Sequence, residues 1–171
     1  MARQLLILRH GKSDWETDAT DIDRPLNERG KRSARRIGLW LQQQGLLPDH
    51  IVTSPAKRAR LTAESVCRSI GQSIDSIVQD SRIYEAGVSN LLDVLADCPD
   101  DARCVLLVGH NPGLEILLGY LSGNTLTRSE NQKLLPTAAL AHLEMPDRWN
   151  NLHNDSAQLI TLIRPRNLPD N

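Results

Sequence analysis

Three short stretches carry side chains able to handle an anion: Arg9-His10-Gly11, Lys57-Arg58-Ala59-Arg60 and Gly109-His110. A guanidinium presents a planar fork that meets two oxygens of a phosphoryl group at once. An imidazole nitrogen can attack phosphorus in line and hold the phosphoryl group covalently, splitting one difficult displacement into two easier ones. Two imidazoles and two or more guanidiniums gathered in one place would make an anion site, and phosphate is the anion that suits it best. For that chemistry the three stretches must meet in space.

The elements expected around them say how. Leu5-Leu6-Ile7-Leu8 reads as a strand buried on both faces that ends abruptly in Arg9, His10 and Gly11. Arg103 to Val108 repeats that logic and ends in Gly109-His110-Asn111-Pro112-Gly113. His50 to Thr53 is a short strand, after which Ser54 is expected to cap, and Pro55 to open, a helix running to about Ile70. Asn27 is expected to cap a helix from Glu28 to about Gln44, stopped by Gly45. A weaker strand is expected over Ser76 to Gln79, helices over Ser89 to Ala96 and Leu114 to Leu121, and closing strands near Ala138 to Glu144 and Gln158 to Ile163. Trp15 to Asp23 reads as an acidic loop over the mouth of the site, and Gly123 to Leu135 as a long loop. This alternation predicts an α/β fold, a three-layer αβα sandwich with a central, mostly parallel sheet, in one domain spanning 1–171. If the strands are parallel, the three functional ends share the sheet edge where ligands bind in open α/β sheets, with the helix amino terminus after Ser54 pointing there too.

Composition narrows the partners. The formal net charge of −1, with basic residues spread along the chain, disfavours nucleic acid. There is no Phe, and only three Trp and two Tyr, so the core must be packed from aliphatic residues and base stacking is poorly supplied. The three Cys lack metal or disulfide spacing and read as buried thiols. With no apolar signal segment or membrane-crossing run, the expectation is a cytoplasmic protein with no membrane partner.

Four blocks together are more specific. Leu8-Arg9-His10-Gly11, Arg24-Pro25-Leu26 with Arg29-Gly30, Ser54-Pro55-Ala56-Lys57-Arg58-Ala59 with Thr62-Ala63, and Val108-Gly109-His110-Asn111 stand in the order and spacing of the histidine phosphatase superfamily. The chain resembles that family, of phosphoglycerate mutase-like fold, over essentially its whole length. Its shortness, the Arg-His-Gly-Lys-Ser opening and the Gly-His-Asn-Pro turn are most similar to the small SixA-type phosphohistidine phosphatases. The resemblance implies that His10 is the nucleophile, that Arg9 and Arg58 line the phosphate pocket, and that His110 is the second pocket histidine. Arg58 and Arg60 are two residues apart on a helix and cannot both face the pocket. The family pattern selects Arg58, leaving Lys57 and Arg60 for the solvated face.

Lys12, Ser13 and Asn111 are candidate phosphate donors, and Arg24 is expected either to serve the site or to pair with an aspartate of the acidic loop. Asp80-Ser81-Arg82-Ile83-Tyr84-Glu85 resembles the block that carries the family's proton donor, with Ile in place of Leu, which makes Glu85 a candidate general acid. Trp15 is expected at the edge of the core, and His50, His142 and His153 as surface or satisfied strand-end histidines. No metal and no cofactor are implied. The expected activity is a phosphatase working through a phosphohistidine on His10, with a phosphohistidine on a signalling protein as substrate. The alternatives are a small-molecule phosphomonoesterase and a non-catalytic phospholigand-binding module.

Overall fold

The computed structural model describes residues 2–123 and 134–169, so most of the loop expected over 123–135 lies outside the described residues. Six strands form one sheet: β1 (Arg3–Arg9), β2 (His50–Thr53), β3 (Ile77–Gln79), β4 (Cys104–Gly109), β5 (Leu140–Met145) and β6 (Gln158–Ile163). Their spatial order is β3-β2-β4-β1-β5-β6. The first four neighbours pair parallel, while β5 pairs antiparallel with β1 and β6 with β5. Four α-helices connect and cover the sheet: α1 (Glu28–Gln44), α2 (Lys57–Ser69), α3 (Val88–Ala96) and α4 (Gly113–Leu121).

The two-residue period of a strand explains the layers. Leu5 and Ile7 of β1, with Val105 and Leu107 of β4, pack beneath α3 and α4 against Leu91, Leu95, Leu114 and Leu118. Leu6 and Leu8, with Leu106 and Val108, point the other way onto Ile37 and Leu41 of α1 and Ala63 and Val66 of α2. All six residues of β4 are buried, which is why its sequence runs apolar without alternation. Each such aliphatic side chain contributes roughly 1.5–3 kcal/mol by leaving water. Among the described residues no helix is long and apolar enough to cross a membrane.

Register puts the functional residues at one level. Arg9 lies opposite Gly109, and Thr53 opposite Val108, so β2, β4 and β1 end together at the same edge. The start of α2 differs from expectation: the helix opens at Lys57, and Ser54 is not its cap. The Ser54 N–H is still held in the ladder by the Val108 carbonyl at 3.0 Å, which keeps the backbone extended past the strand's end. Its hydroxyl accepts from the Ala56 N–H, a turn that precedes the helix rather than capping it. The expected cap of α1 is present, the Asn27 side chain accepting from the Gly30 N–H at 2.8 Å. Gly30 is required by close approach, since a Cβ there would stand 2.1 Å from the Lys12 carbonyl oxygen. The turn after β1 thus rests directly on the backbone of α1.

Candidate active site

His10 is 8% exposed, and its Nδ1 lies 2.7 Å from the Gly11 carbonyl oxygen. A carbonyl only accepts, so Nδ1 carries the proton and Nε2 keeps its lone pair. Burial pushes the His10 imidazole down to about 3, with the charges of His110, Arg58 and Arg9 adding to that effect and the Gly11 bond opposing it. The ring is therefore neutral throughout the physiological range, as a nucleophile must be. The backbone around it is fixed on both sides, His10 N–H donating to Gly109 and its carbonyl accepting from Ala138. Thr62 completes the anchor: its hydroxyl accepts from the Gly11 N–H and donates to the Arg58 carbonyl.

The His110 ring centroid lies 5.1 Å from that of His10. Its Nε2 is 2.8 Å from the Ser54 hydroxyl, while Nδ1 is buried with no partner among the described residues. Burial, then the Arg58 charge, lowers His110 to about 4. Arg58 sits in the first turn of α2, buried, and faces the same cavity, whereas Lys57 and Arg60 do not line it. Arg60 instead turns back to donate to the Pro55 carbonyl. The Nε atoms of Arg9 and Arg58 are, like His110 Nδ1, buried without a partner among the described residues. Buried donors left unsatisfied are costly, and the three residues that carry these line one cavity with His10, which suits it to oxygen acceptors. The cavity they share has a volume of about 540 Å³, and its lining includes every candidate named from the sequence: Arg9, His10, Lys12, Ser13, Arg24, Arg58, Glu85, His110 and Asn111.

Their detailed placements differ. Ser13 is buried and bonded to Arg24 Nη1. Arg24 is buried too, and its Nη2 donates to Asp21 at 2.7 Å, the aspartate pairing that was one of its two expected roles. Asn111 lines the cavity, but its amide group donates to Glu115 and to the Leu135 carbonyl, leaving Oδ1 without a partner among the described residues. An unpaired acceptor cannot hydrogen-bond phosphate oxygen, so this geometry uses Asn111 to fix the turn. Glu85 is exposed, with φ of 56°, a left-handed conformation costly for a side chain of this kind. Trp15 is not at the core edge as expected: it is 73% exposed and lies flat on Arg24, with the guanidinium 3.5 Å from the ring centroid. His142 is buried rather than superficial, satisfied by Gln4.

Sequence reasoning missed Asp21, Tyr84 and Ser54. Asp21 is the hub of the rim: its carboxylate takes Arg24, Arg58 Nη2 at 3.1 Å and the Tyr84 hydroxyl at 2.5 Å, and its carbonyl takes Arg58 Nη1 at 2.6 Å. The Tyr84 hydroxyl, followed by Arg24, holds that carboxyl well below the usual carboxylate range. Only the three-residue spacing from Asp21 to Arg24 was visible in the sequence; Arg58 and Tyr84 are 37 and 63 residues away.

A parallel-stranded edge that pairs two neutral imidazoles with buried guanidiniums defines an enzyme of phosphoryl transfer from an oxyanion-binding pocket. Residues 5–91 match the family model of the histidine phosphatase superfamily, branch 1. An uncharacterized protein of Mycobacterium tuberculosis is 30% identical over 164 residues, covering 93% of this chain and all of its own. The phosphohistidine phosphatase SixA of Escherichia coli is 29% identical over 154 residues, 88% of this chain and 91% of SixA. A crystal structure assigned as SixA from Agrobacterium tumefaciens superposes with a TM-score of 0.80 at 30% identity, covering 96% of this chain and 99% of that one. The chain belongs to the histidine phosphatase superfamily, and its activity is that of a phosphatase.

Proposed function

We propose that this phosphatase removes the phosphoryl group from phosphohistidine on a protein, as the name of its SixA relatives describes for them. The observation that carries the reading is the orientation of His10: Nδ1 is spent on Gly11, and the free Nε2 shares its cavity with the unpartnered donors of Arg9, Arg58 and His110. In the first step Nε2 attacks phosphorus, a new P–N bond forms at His10, and the P–N bond to the substrate breaks. The electron pair leaves on the substrate imidazole, which is a good leaving group once protonated. Arg9, Arg58 and His110 Nδ1–H neutralise the three equatorial oxygens while charge accumulates on them. For that, Ser54 donates its hydroxyl proton to His110 Nε2, which sets the tautomer. In the second step water attacks phosphorus, the bond to His10 breaks and inorganic phosphate departs.

Rapid quenching with a radiolabelled phosphohistidine peptide is expected to trap label on the protein, stable to base and labile to acid. The His10→Ala variant should carry none. Wild-type protein that binds the peptide yet never becomes labelled would favour the non-catalytic module instead.

Glu85 in the cavity wall keeps a second reading, a small phosphomonoester, in play, because an alkoxide leaving group needs an acid that an imidazole does not. Under that reading Glu85→Gln slows hydrolysis of an alkyl phosphate far more than that of a phosphohistidine peptide. Equal effects on both substrates would remove Glu85 from the chemistry.

A further inference from the structure

Beside the catalytic cavity lies a second one, about 580 Å³ in volume, between α1, the residues after β6 and the turn after β1. Arg9, Lys12 and Thr137 line both, so the two are adjacent. The second cavity is lined by Arg29, Arg32 and Arg36 of α1 and by Arg164 and Arg166, and no Asp or Glu is among the described residues that line it. The charged groups of Lys12, Arg29, Arg32, Arg164 and Arg166 have no hydrogen bond or ion pair to the described protein. The three α1 arginines recur at i, i+3 and i+7, which places them on one face over a rise of about 10 Å. Like charges held this close repel one another, and nothing in the proposed chemistry uses them.

The loop on the other side of the catalytic cavity carries carboxylates, of which Asp21 is paired with Arg24 and Arg58. Asp21 lines that cavity only, and Glu16, Asp18 and Asp23 are exposed on the same loop. The reacting centre thus lies between a basic groove and a loop that carries carboxylates. We infer that the basic groove docks an acidic segment of the phosphohistidine protein, carried on one flank of the phosphorylated residue, while the flank over residues 14–23 is neutral or basic. The inference rests on the phosphohistidine reading and adds which protein surfaces are accepted. An extended occupant suits the geometry better than a second phosphoryl group. The cations are strung along an open cleft, and Arg29, Arg32 and Arg166 are exposed. The catalytic cavity, by contrast, is lined by Arg9, Arg58 and His110, whose buried nitrogens have no partner among the described residues. Carboxylates spaced along a chain can pair successively with such a row, guiding encounter and fixing orientation.

Three synthetic phosphohistidine peptides test this, identical but for four Glu on the amino side, four Glu on the carboxyl side, or Gln throughout. At low salt one Glu peptide should show kcat/KM about tenfold above the Gln peptide, expressed in KM and lost in high salt. Arg32→Glu with Arg166→Glu should abolish that advantage and leave hydrolysis of p-nitrophenyl phosphate unchanged, with the single Arg32→Gln intermediate. Equal kcat/KM for all three peptides, or an advantage that survives the reversal, overturns the inference. If no phosphohistidine peptide is hydrolysed, the substrate reading fails, and docking is decided by calorimetry with the unphosphorylated Glu peptides. Binding lost on charge reversal then supports the groove, and no binding overturns it. Arg32-dependent binding of inorganic tripolyphosphate in preference to the Glu peptides would also overturn it, assigning the groove to small polyphosphates.

Discussion

At the scale of single residues, the site depends on which atoms are already engaged. His10 gives Nδ1 to a carbonyl, and burial keeps the ring neutral, so its carbon-bound imidazole protons should not shift in an NMR titration from pH 8 to pH 5. A midpoint near 6.5 would show that the ring is solvated and badly placed to act. Asp21 is 51% exposed in its side chain yet anchors two guanidiniums, so its effect on catalysis should exceed its effect on stability. Asp21→Asn should lower kcat about tenfold by loosening Arg58, while the melting temperature moves little. Steady-state kinetics beside a thermal scan would check both halves of that expectation. That Arg9, His10 and His110 would meet at one sheet edge was legible from residue type and strand ends, and the family resemblance selected Arg58, which lines the same cavity. Asp21 and Tyr84 were not, because an acidic loop residue and a lone tyrosine look ordinary until folding brings them to Arg58.

At the scale of elements, the catalytic turn is positioned by backbone packed on backbone. A Cβ at Gly11 would meet the Gly30 carbonyl oxygen at 2.8 Å, and one at Gly30 would meet the Lys12 carbonyl oxygen at 2.1 Å. Neither neighbour is a flexible side chain that could swing away. Gly30→Ala should therefore cost about 2–3 kcal/mol in urea unfolding and displace the Arg9 to Ser13 turn, with activity falling more than tenfold. Unchanged activity in a destabilised variant would separate the helix contact from the site. The strands and helices themselves were readable because an apolar run without alternation means burial on both faces, as in β1 and β4. The start of α2 was misread because Ser-Pro has a strong local preference for opening a helix. Pairing of Ser54 with Val108, a tertiary constraint, overrode it.

At the scale of the whole molecule, buried titratable groups bound the pH range of stability. His10 and His110 have folded values of about 3 and 4 against about 6.5 when unfolded, so the unfolded chain binds more protons below that point. Stability is then lost as pH falls from about 6.5 toward 4. Burial pushes the Cys98 and Cys104 thiols up to about 12, so the unfolded chain alone ionises above about 9 and stability falls there as well. The urea midpoint should accordingly be flat between about pH 6.5 and 9 and decline on both sides. His10→Gln should shallow the acid limb, and a midpoint constant down to pH 4.5 would contradict it. Residue order determined the layered α/β fold and the sheet edge at which Arg9, His10 and His110 stand, because burial period and strand ends are local properties, while resemblance to the family selected Arg58. Only the tertiary structure decided that Ser54 serves His110, that Asp21 holds Arg58 and Arg24, and that arginines of α1 and of the segment after β6 share one groove. Those relations depend on distances between segments far apart in the chain, and such distances exist only once the sheet has paired and the helices have packed on it.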